Sequence, residues 1–223
     1  MSEFRVVVIT GANRGIGLEL ARFYAREGQE VIGVCRQSSD ELAEVAAQII
    51  DGVDVTTSEG IGRLTAGLTG KTIGLLINNA GLLQDEQLGS IDFDSIRTQM
   101  EINAYAPLRV AEALVPFMGQ GSKIANITSR MGSIADNDSG GRYGYRASKA
   151  ALNAFGKSLA VDLKPKGIAV AQLHPGYVQT RMVNFGGLIT PEESARGLAE
   201  RIANLNLENT GSFWHSNGEE LPW

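Results

Sequence analysis

Tyr145 and Lys149 stand four residues apart in Tyr145-Arg146-Ala147-Ser148-Lys149, a stretch that reads as helix. Residues at that spacing share a helix face. A phenol and an ammonium side by side are the parts of a tuned proton donor, because a nearby cation favours phenolate and draws its pKa down from about 10. General acids work best when their pKa approaches the working pH. The same spacing also suits a solvated surface pair, so the chemistry depends on a cofactor and a substrate contact supplied elsewhere in the chain.

Alternating β-branched and amphipathic stretches predict the elements that must position this pair. Strands are expected over Phe4–Thr10, Val31–Cys35, Val53–Val55, Ile73–Ile77, Lys123–Thr128, Ile168–Leu173 and Gly211–Ser216. Between them the spacing predicts helices over Gly15–Glu27, Asp40–Ile50, Thr57–Leu68, Asp94 to about Met118, Tyr145–Leu163 and Pro191 to about Leu205, with Pro107 and Pro116 as kinks or a terminus of the fourth. Strands separated by helices, with continuous apolar runs, imply an α/β fold with a mainly parallel seven-stranded sheet covered on both faces.

Composition narrows the function classes. At 223 residues with 43% apolar side chains, one domain over 1–223 is expected. A formal charge of -5 provides no basic stripe for nucleic acid. Val6-Val7-Val8-Ile9 is too brief for a signal segment, and no stretch approaches the roughly 18 apolar residues of a membrane span. The single thiol, Cys35, leaves no internal disulfide and fits a reducing cytoplasm. His174 and His215 have neither metal-ligand spacing nor a cysteine pair nearby, so no metal is expected.

A cofactor site is legible in Thr10-Gly11-Ala12-Asn13-Arg14-Gly15-Ile16-Gly17, between the first strand and the first helix. Glycines there permit a tight turn and close approach of a pyrophosphate, which the helix N-terminus then faces. This turn, the Asn78-Asn79-Ala80-Gly81 segment, the Tyr145/Lys149 motif and Pro175-Gly176 with Thr180 resemble, in order and over nearly the whole chain, the short-chain dehydrogenase/reductase family. The resemblance implies a Rossmann-type, doubly wound fold and a nicotinamide dinucleotide bound at the carboxyl edge of the sheet. Strand two ends in Cys35-Arg36 rather than an acid, and Arg14 precedes Gly15; two guanidinium groups suit a 2′-phosphate, so NADP(H) is favoured over NAD(H).

Further roles follow from the same resemblance. Gly11, Asn13, Arg14, Gly15, Ile16 and Gly17 would hold the phosphates, with Arg36 at the 2′-phosphate and Asp54 and Val55 near the adenine. Asn79, Ala80 and Gly81 would line the adenosine side, and Pro175, Gly176, Val178 and Thr180 the nicotinamide side. Tyr145 would exchange a proton with the substrate oxygen while Lys149 binds the ribose and lowers the tyrosine pKa. Ser129, three residues before Gly132, would hydrogen-bond the substrate oxygen, with Thr128 and Ser133 as rival hydroxyls, and Asn103 would bend the long helix and hold a relay water.

Ser129 and Tyr145 are 16 residues apart, wider than the family's commonest spacing, with the excess in Asp136 to Gly141. The short segment Arg181 to Thr190 would close over the substrate, and Arg130, Met131, Leu82, Tyr177 and Met182 are candidate lining residues. The stretches Tyr145 to Asn153 and His174 to Thr180 and the ending Glu220-Leu221-Pro222-Trp223 are similar to the branch containing bacterial C-factor and insect carbonyl reductases. That branch implies NADPH-linked interconversion of a small carbonyl (aldehyde, ketone or diketone) and an alcohol, in a homodimer or homotetramer. Its signalling member keeps open a second class, a dinucleotide-binding regulatory protein with little turnover.

Overall fold

The computed structural model describes residues 6–223. Seven strands form one parallel sheet in the order β3-β2-β1-β4-β5-β6-β7: β1 Val6–Thr10, β2 Glu30–Val34, β3 Gln48–Ile50, β4 Ile73–Asn78, β5 Met118–Ile127, β6 Ala169–His174 and β7 Phe213–His215. The order reverses beside β1, the switch point at which ligands bind in open α/β sheets. Phe4 and Arg5, expected in the first strand, lie outside the described residues.

Successive side chains of β1 enter different layers because strand residues alternate faces. Val7 and Ile9 pack with Leu20, Ala21, Leu198 and Ile202, from α1 (Gly15–Arg26) and α7 (Pro191–Asn204). Val8 joins Leu64, Val110, Leu114 and Leu163 on the other face, from α3 (Ser58–Gly67), α5 (Ala106–Leu114) and α6 (Tyr143–Leu163). Burial on both faces explains the unbroken apolar runs. Lys123 of β5 sends its buried ammonium to the carbonyls of Ile202 (2.8 Å) and Ala203 (3.0 Å) at the C-terminus of α7, where the helix dipole favours a cation.

Two expected elements differ from those observed. The helix anticipated over Asp40–Ile50 is a single turn, α2 (Asp40–Ala43), capped by Ser39; the chain then turns so that Ala47 N–H reaches the Val31 carbonyl (2.9 Å) and Gln48–Ile50 pair with Ile32–Val34. Sheet pairing overrides the helical preference of the alanines. Val53–Val55, expected as a strand, keeps one bond to the sheet edge, from Val53 N–H to the Cys35 carbonyl. The long fourth helix is in fact α4 (Phe93–Met100), a π turn at Glu101–Tyr105, α5 and a short 3-10 turn, after which Met118 already opens β5. Pro107 sits in the first turn of α5, where its missing N–H is tolerated.

Candidate active site

Ser129 follows the carboxyl end of β5, and its buried hydroxyl accepts a hydrogen bond from Met131 N–H (3.1 Å) and acts on the Tyr145 phenol, whose pKa it lowers. Its rivals are engaged elsewhere. Thr128 Oγ1 donates to Asn153 Oδ1 (2.7 Å), and Ser133 Oγ donates to the Trp223 carbonyl (3.2 Å) while accepting from Asp136 N–H. Lys149 lies one turn along α6, its Nζ 5.8 Å from the Tyr145 ring centre and 2.8 Å from the Ile127 carbonyl to which it donates. The structure therefore gathers Ser129, Tyr145 and Lys149 at one sheet edge.

The electrostatics differ from the sequence expectation in one respect. Burial pushes the Tyr145 phenol above its ordinary pKa, opposed by the Ser129 hydrogen bond and the Arg142 charge. Burial also brings the Lys149 ammonium down to about 8. Desolvation disfavours phenolate and ammonium alike, and it is the largest cause of the shift in each.

Asn103 sits fully buried in the π turn, and its side chain faces backbone. Oδ1 accepts from Leu82 N–H (2.8 Å), and Nδ2 donates to the Leu82 carbonyl (2.7 Å) and to Ser148 Oγ (3.0 Å). A π turn inside a helix often marks a functional position. Position 107 would supply the i→i−4 donor to the Asn103 main-chain carbonyl, but it is proline and has no N–H. The side chain thus positions the Leu82 segment beside α6, while the carbonyl is left without that helical donor.

The phosphate-type turn is built as its glycines require. Gly11 and Gly15 have positive φ, 65° and 55°. A Cβ on Gly17 would fall 2.3 Å from the Gly11 carbonyl oxygen and 2.5 Å from Asn79 Nδ2. Asn79 ties the turn to β4 by donating to the carbonyls of Thr10 (3.0 Å) and Gly11 (3.1 Å), and Thr10 Oγ1 accepts from Asn79 and Ala80 N–H. Arg14, at the N-cap of α1, is exposed and places no side-chain cap on the helix. Asn13 is used locally, donating to the Gln37 carbonyl (2.9 Å), and Ile16 packs partly into the core.

Arg36 is exposed at the end of β2. Asp54 Oδ1 accepts from Thr56 N–H (2.9 Å) and Thr56 Oγ1 (2.7 Å), hydrogen bonds that hold its carboxyl below the usual range. Val55 and Ala80 line a narrow crevice with Thr10, Asn78 and Ile102, and Gly81 lies beside Asn103 and Lys149. After β6, the Pro175 carbonyl accepts from Ser194 Oγ (2.7 Å) and Ser216 Oγ (3.1 Å). Gly176 turns the chain, Val178 is buried and bridged to Ile189, and the Thr180 methyl would lie 3.6 Å from a Cβ on Gly15. Every candidate cofactor residue is thus on the switch-point edge or its loops.

Of the candidate lining residues, Tyr177 and Met182 are exposed near the left-handed pair Asn184 and Phe185, and Leu82 is tied down by Asn103. Arg130 is committed to ion pairs with Asp136 (2.9 Å) and Glu219 (2.5 Å), and Met131 Sδ accepts from Arg142 (3.8 Å). Glu219 to Trp223 returns across the site: Leu221 N–H bonds to the Phe213 carbonyl (2.8 Å), and the Trp223 carbonyl accepts from Ala135 N–H (3.0 Å). Sequence reading missed the contacts of this tail and of Glu86, because both join positions far apart in the chain. His174 and His215 stack edge to face, and burial lowers His174 to about 3, with the neighbouring cations adding to the effect.

Comparisons with known proteins place relatives beside this fold. A curated relative, 1-hydroxy-2-glutathionyl-2-methyl-3-butene dehydrogenase of Rhodococcus sp. (strain AD45), is 41% identical over 223 residues, covering 97% of this chain and 99% of that protein. The C-signal of Myxococcus xanthus is 43% identical over 154 residues, 68% of this chain and 93% of that protein. The crystal structure of NADPH-bound carbonyl reductase from chicken fatty liver superposes with a TM-score of 0.89 at 29% identity, covering 99% of this chain and 100% of that one. The family model for short chain dehydrogenase matches residues 5–186. With that match spanning the glycine turn, Ser129, Tyr145 and Lys149, the chain belongs to the short-chain dehydrogenase/reductase family of oxidoreductases.

Proposed function

We propose that this chain is an NADP(H)-dependent oxidoreductase that interconverts a small carbonyl compound and its alcohol, with Tyr145 as general acid in reduction and general base in reverse. The observation that carries this reading is the gathering of buried Ser129, Tyr145 and Lys149 at the sheet edge, with the Lys149 ammonium 5.8 Å from the Tyr145 ring centre. The chain's residues fit the dinucleotide. The α1 N-terminus has no side-chain cap, Gly15 and Gly17 admit close approach, and exposed Arg14 and Arg36 supply the charge that a 2′-phosphate needs. NADPH, when bound, supplies the hydride.

The remaining work belongs to side chains. Ser129 donates a hydrogen bond to the carbonyl oxygen and steadies the negative charge that develops there. Tyr145, kept protonated by burial, delivers its proton to the same oxygen. Lys149 stabilises the phenolate left behind and can return a proton through the Asn103 carbonyl region. In oxidation the same groups act in the reverse order.

The substrate class in this reading is an aldehyde, ketone or diketone and the corresponding alcohol. The Rhodococcus relative is named for dehydrogenation of a hydroxy glutathionyl compound, so glutathione thioether alcohols belong in the substrate panel. A single 1–223 domain, a reducing cytoplasm for buried Cys35 and a homodimer or homotetramer complete the proposal. NADPH oxidation measured against a carbonyl panel, with Tyr145→Phe as control, tests it. Likeness to the C-signal supports a second reading, a dinucleotide-binding regulatory protein. Tight NADPH binding without turnover on the whole panel would favour that alternative.

A further inference from the structure

The helix that carries Tyr145 and Lys149 begins without the means to cap itself. Its N-cap residue, Arg142, is in the left-handed region (φ 50°, ψ 46°), offers no side-chain hydrogen bond, and is followed by no acidic residue in the first turn. The first N–H groups of a helix need partners from outside it. They are supplied from the loop after β4, 58 residues away in sequence.

Glu86 is only 2% exposed and forms no ion pair among the described residues. Its Oε2 accepts from Gly144 N–H (3.0 Å), and its main-chain carbonyl accepts from Arg142 N–H (2.9 Å). Its Oε1 accepts from Ser95 Oγ (2.5 Å) and Gln99 Nε2 (2.5 Å), both on α4. Gln99 Oε1 in turn accepts from Gln84 N–H (3.0 Å). Both carboxyl oxygens of Glu86 therefore meet donors, at a helix N-terminus where the dipole favours an acceptor. Gly144 completes the fit, because a Cβ there would lie 2.6 Å from Gln99 Nε2 and 3.0 Å from Glu86 Oε1.

We infer that Glu86 is a positioning residue for catalysis: by capping α6 from the Leu82–Glu86 strap it fixes where Tyr145, the next residue after Gly144, presents its hydroxyl to Ser129. The strap is gripped at its other end by Asn103 through both polar groups of Leu82, so the π turn and the catalytic helix share one brace. This inference rests on the proposed catalytic role of Tyr145.

Glu86→Gln tests it with little change of shape. The amide can keep one oxygen for Ser95 and Gln99 but then turns an N–H towards that of Gly144. We expect kcat to fall between about tenfold and a hundredfold, as small misplacements of a reacting group produce, with KM for NADPH held within about twofold. Amide hydrogen exchange in a peptide spanning residues 142–149 should quicken about tenfold while residues 152–163 stay protected. Ser95→Ala, which removes a bond to Oε1 and leaves the Gly144 contact, should keep kcat within about twofold of wild type. If Glu86→Gln does not fold, Glu86→Asp retracts the carboxylate by one methylene and should show the same pattern. Wild-type kcat in these Glu86 variants, or equal losses in Ser95→Ala, would overturn the positioning role, and unchanged exchange at residues 142–149 would overturn the cap. A wild-type protein without turnover would instead sink the catalytic reading, and the exchange rates would still decide the cap.

Discussion

Replacing Lys149 with Met should stabilise the protein while removing its function. The Lys149 ammonium is 4% exposed, and burial lowers its pKa from 10.5 to about 8. At 1.36 kcal/mol per unit, that displacement corresponds to about 3 kcal/mol of penalty on the charged form. The Met variant loses the hydrogen bond to the Ile127 carbonyl, which offsets about 1 kcal/mol. A net gain of about 2 kcal/mol should raise Tm by about 4 to 8 °C in a chain of this length.

The pH dependence separates this cause from simple repacking. Between about 8 and 10.5 the unfolded chain holds a proton on Lys149 that the folded chain has released, so wild-type stability rises with pH across that window. The advantage of Lys149→Met should therefore be full below about 8 and turn into a small deficit as pH approaches 10.5, because the charge penalty disappears while the lost hydrogen bond does not return. Urea unfolding of both proteins at about pH 7 and about pH 10 measures it. A Met variant less stable than wild type at the lower pH, or a difference independent of pH, would refute the reasoning.

Other sites yield sharper single outcomes. Arg36→Asp should weaken NADPH relative to NADH by about tenfold or more, read as the ratio of the two Kd values, because it replaces a cation for the 2′-phosphate with an acid suited to ribose hydroxyls; an unaltered ratio would count against the charge assignment. Gly17→Ala puts a methyl 2.3 Å from the Gly11 carbonyl oxygen, so the turn must shift; dinucleotide affinity should drop at least about tenfold in fluorescence titration, and wild-type affinity would contradict the described close approach.

The parts of the site that sequence revealed are those encoded locally. The Gly11 to Gly17 turn, the Tyr145/Lys149 spacing and the strand-end Ser129 each follow from neighbouring residues and the element periods. The Asp40–Ile50 stretch misled because its alanines favour helix, whereas the open edge beside β2 draws Gln48–Ile50 into the sheet. The π turn was foreshadowed only by Asn103 and Pro107, since its cause includes the distant Leu82 backbone. Glu86 left no trace: a lone acid in a polar loop has no period, and its partners on α4 and α6 meet only in the folded chain. The balance between the buried Tyr145 and Lys149 was likewise a property of depth rather than spacing.

Steady-state NADPH oxidation by Tyr145→Phe, against the carbonyl substrate that wild type reduces best, bears most directly on the central claim. The variant keeps the ring and loses only the hydroxyl proposed as proton donor, so kcat should fall by about 10² to 10⁴ while NADPH affinity is retained. Turnover equal to that of wild type would show that another group supplies the proton.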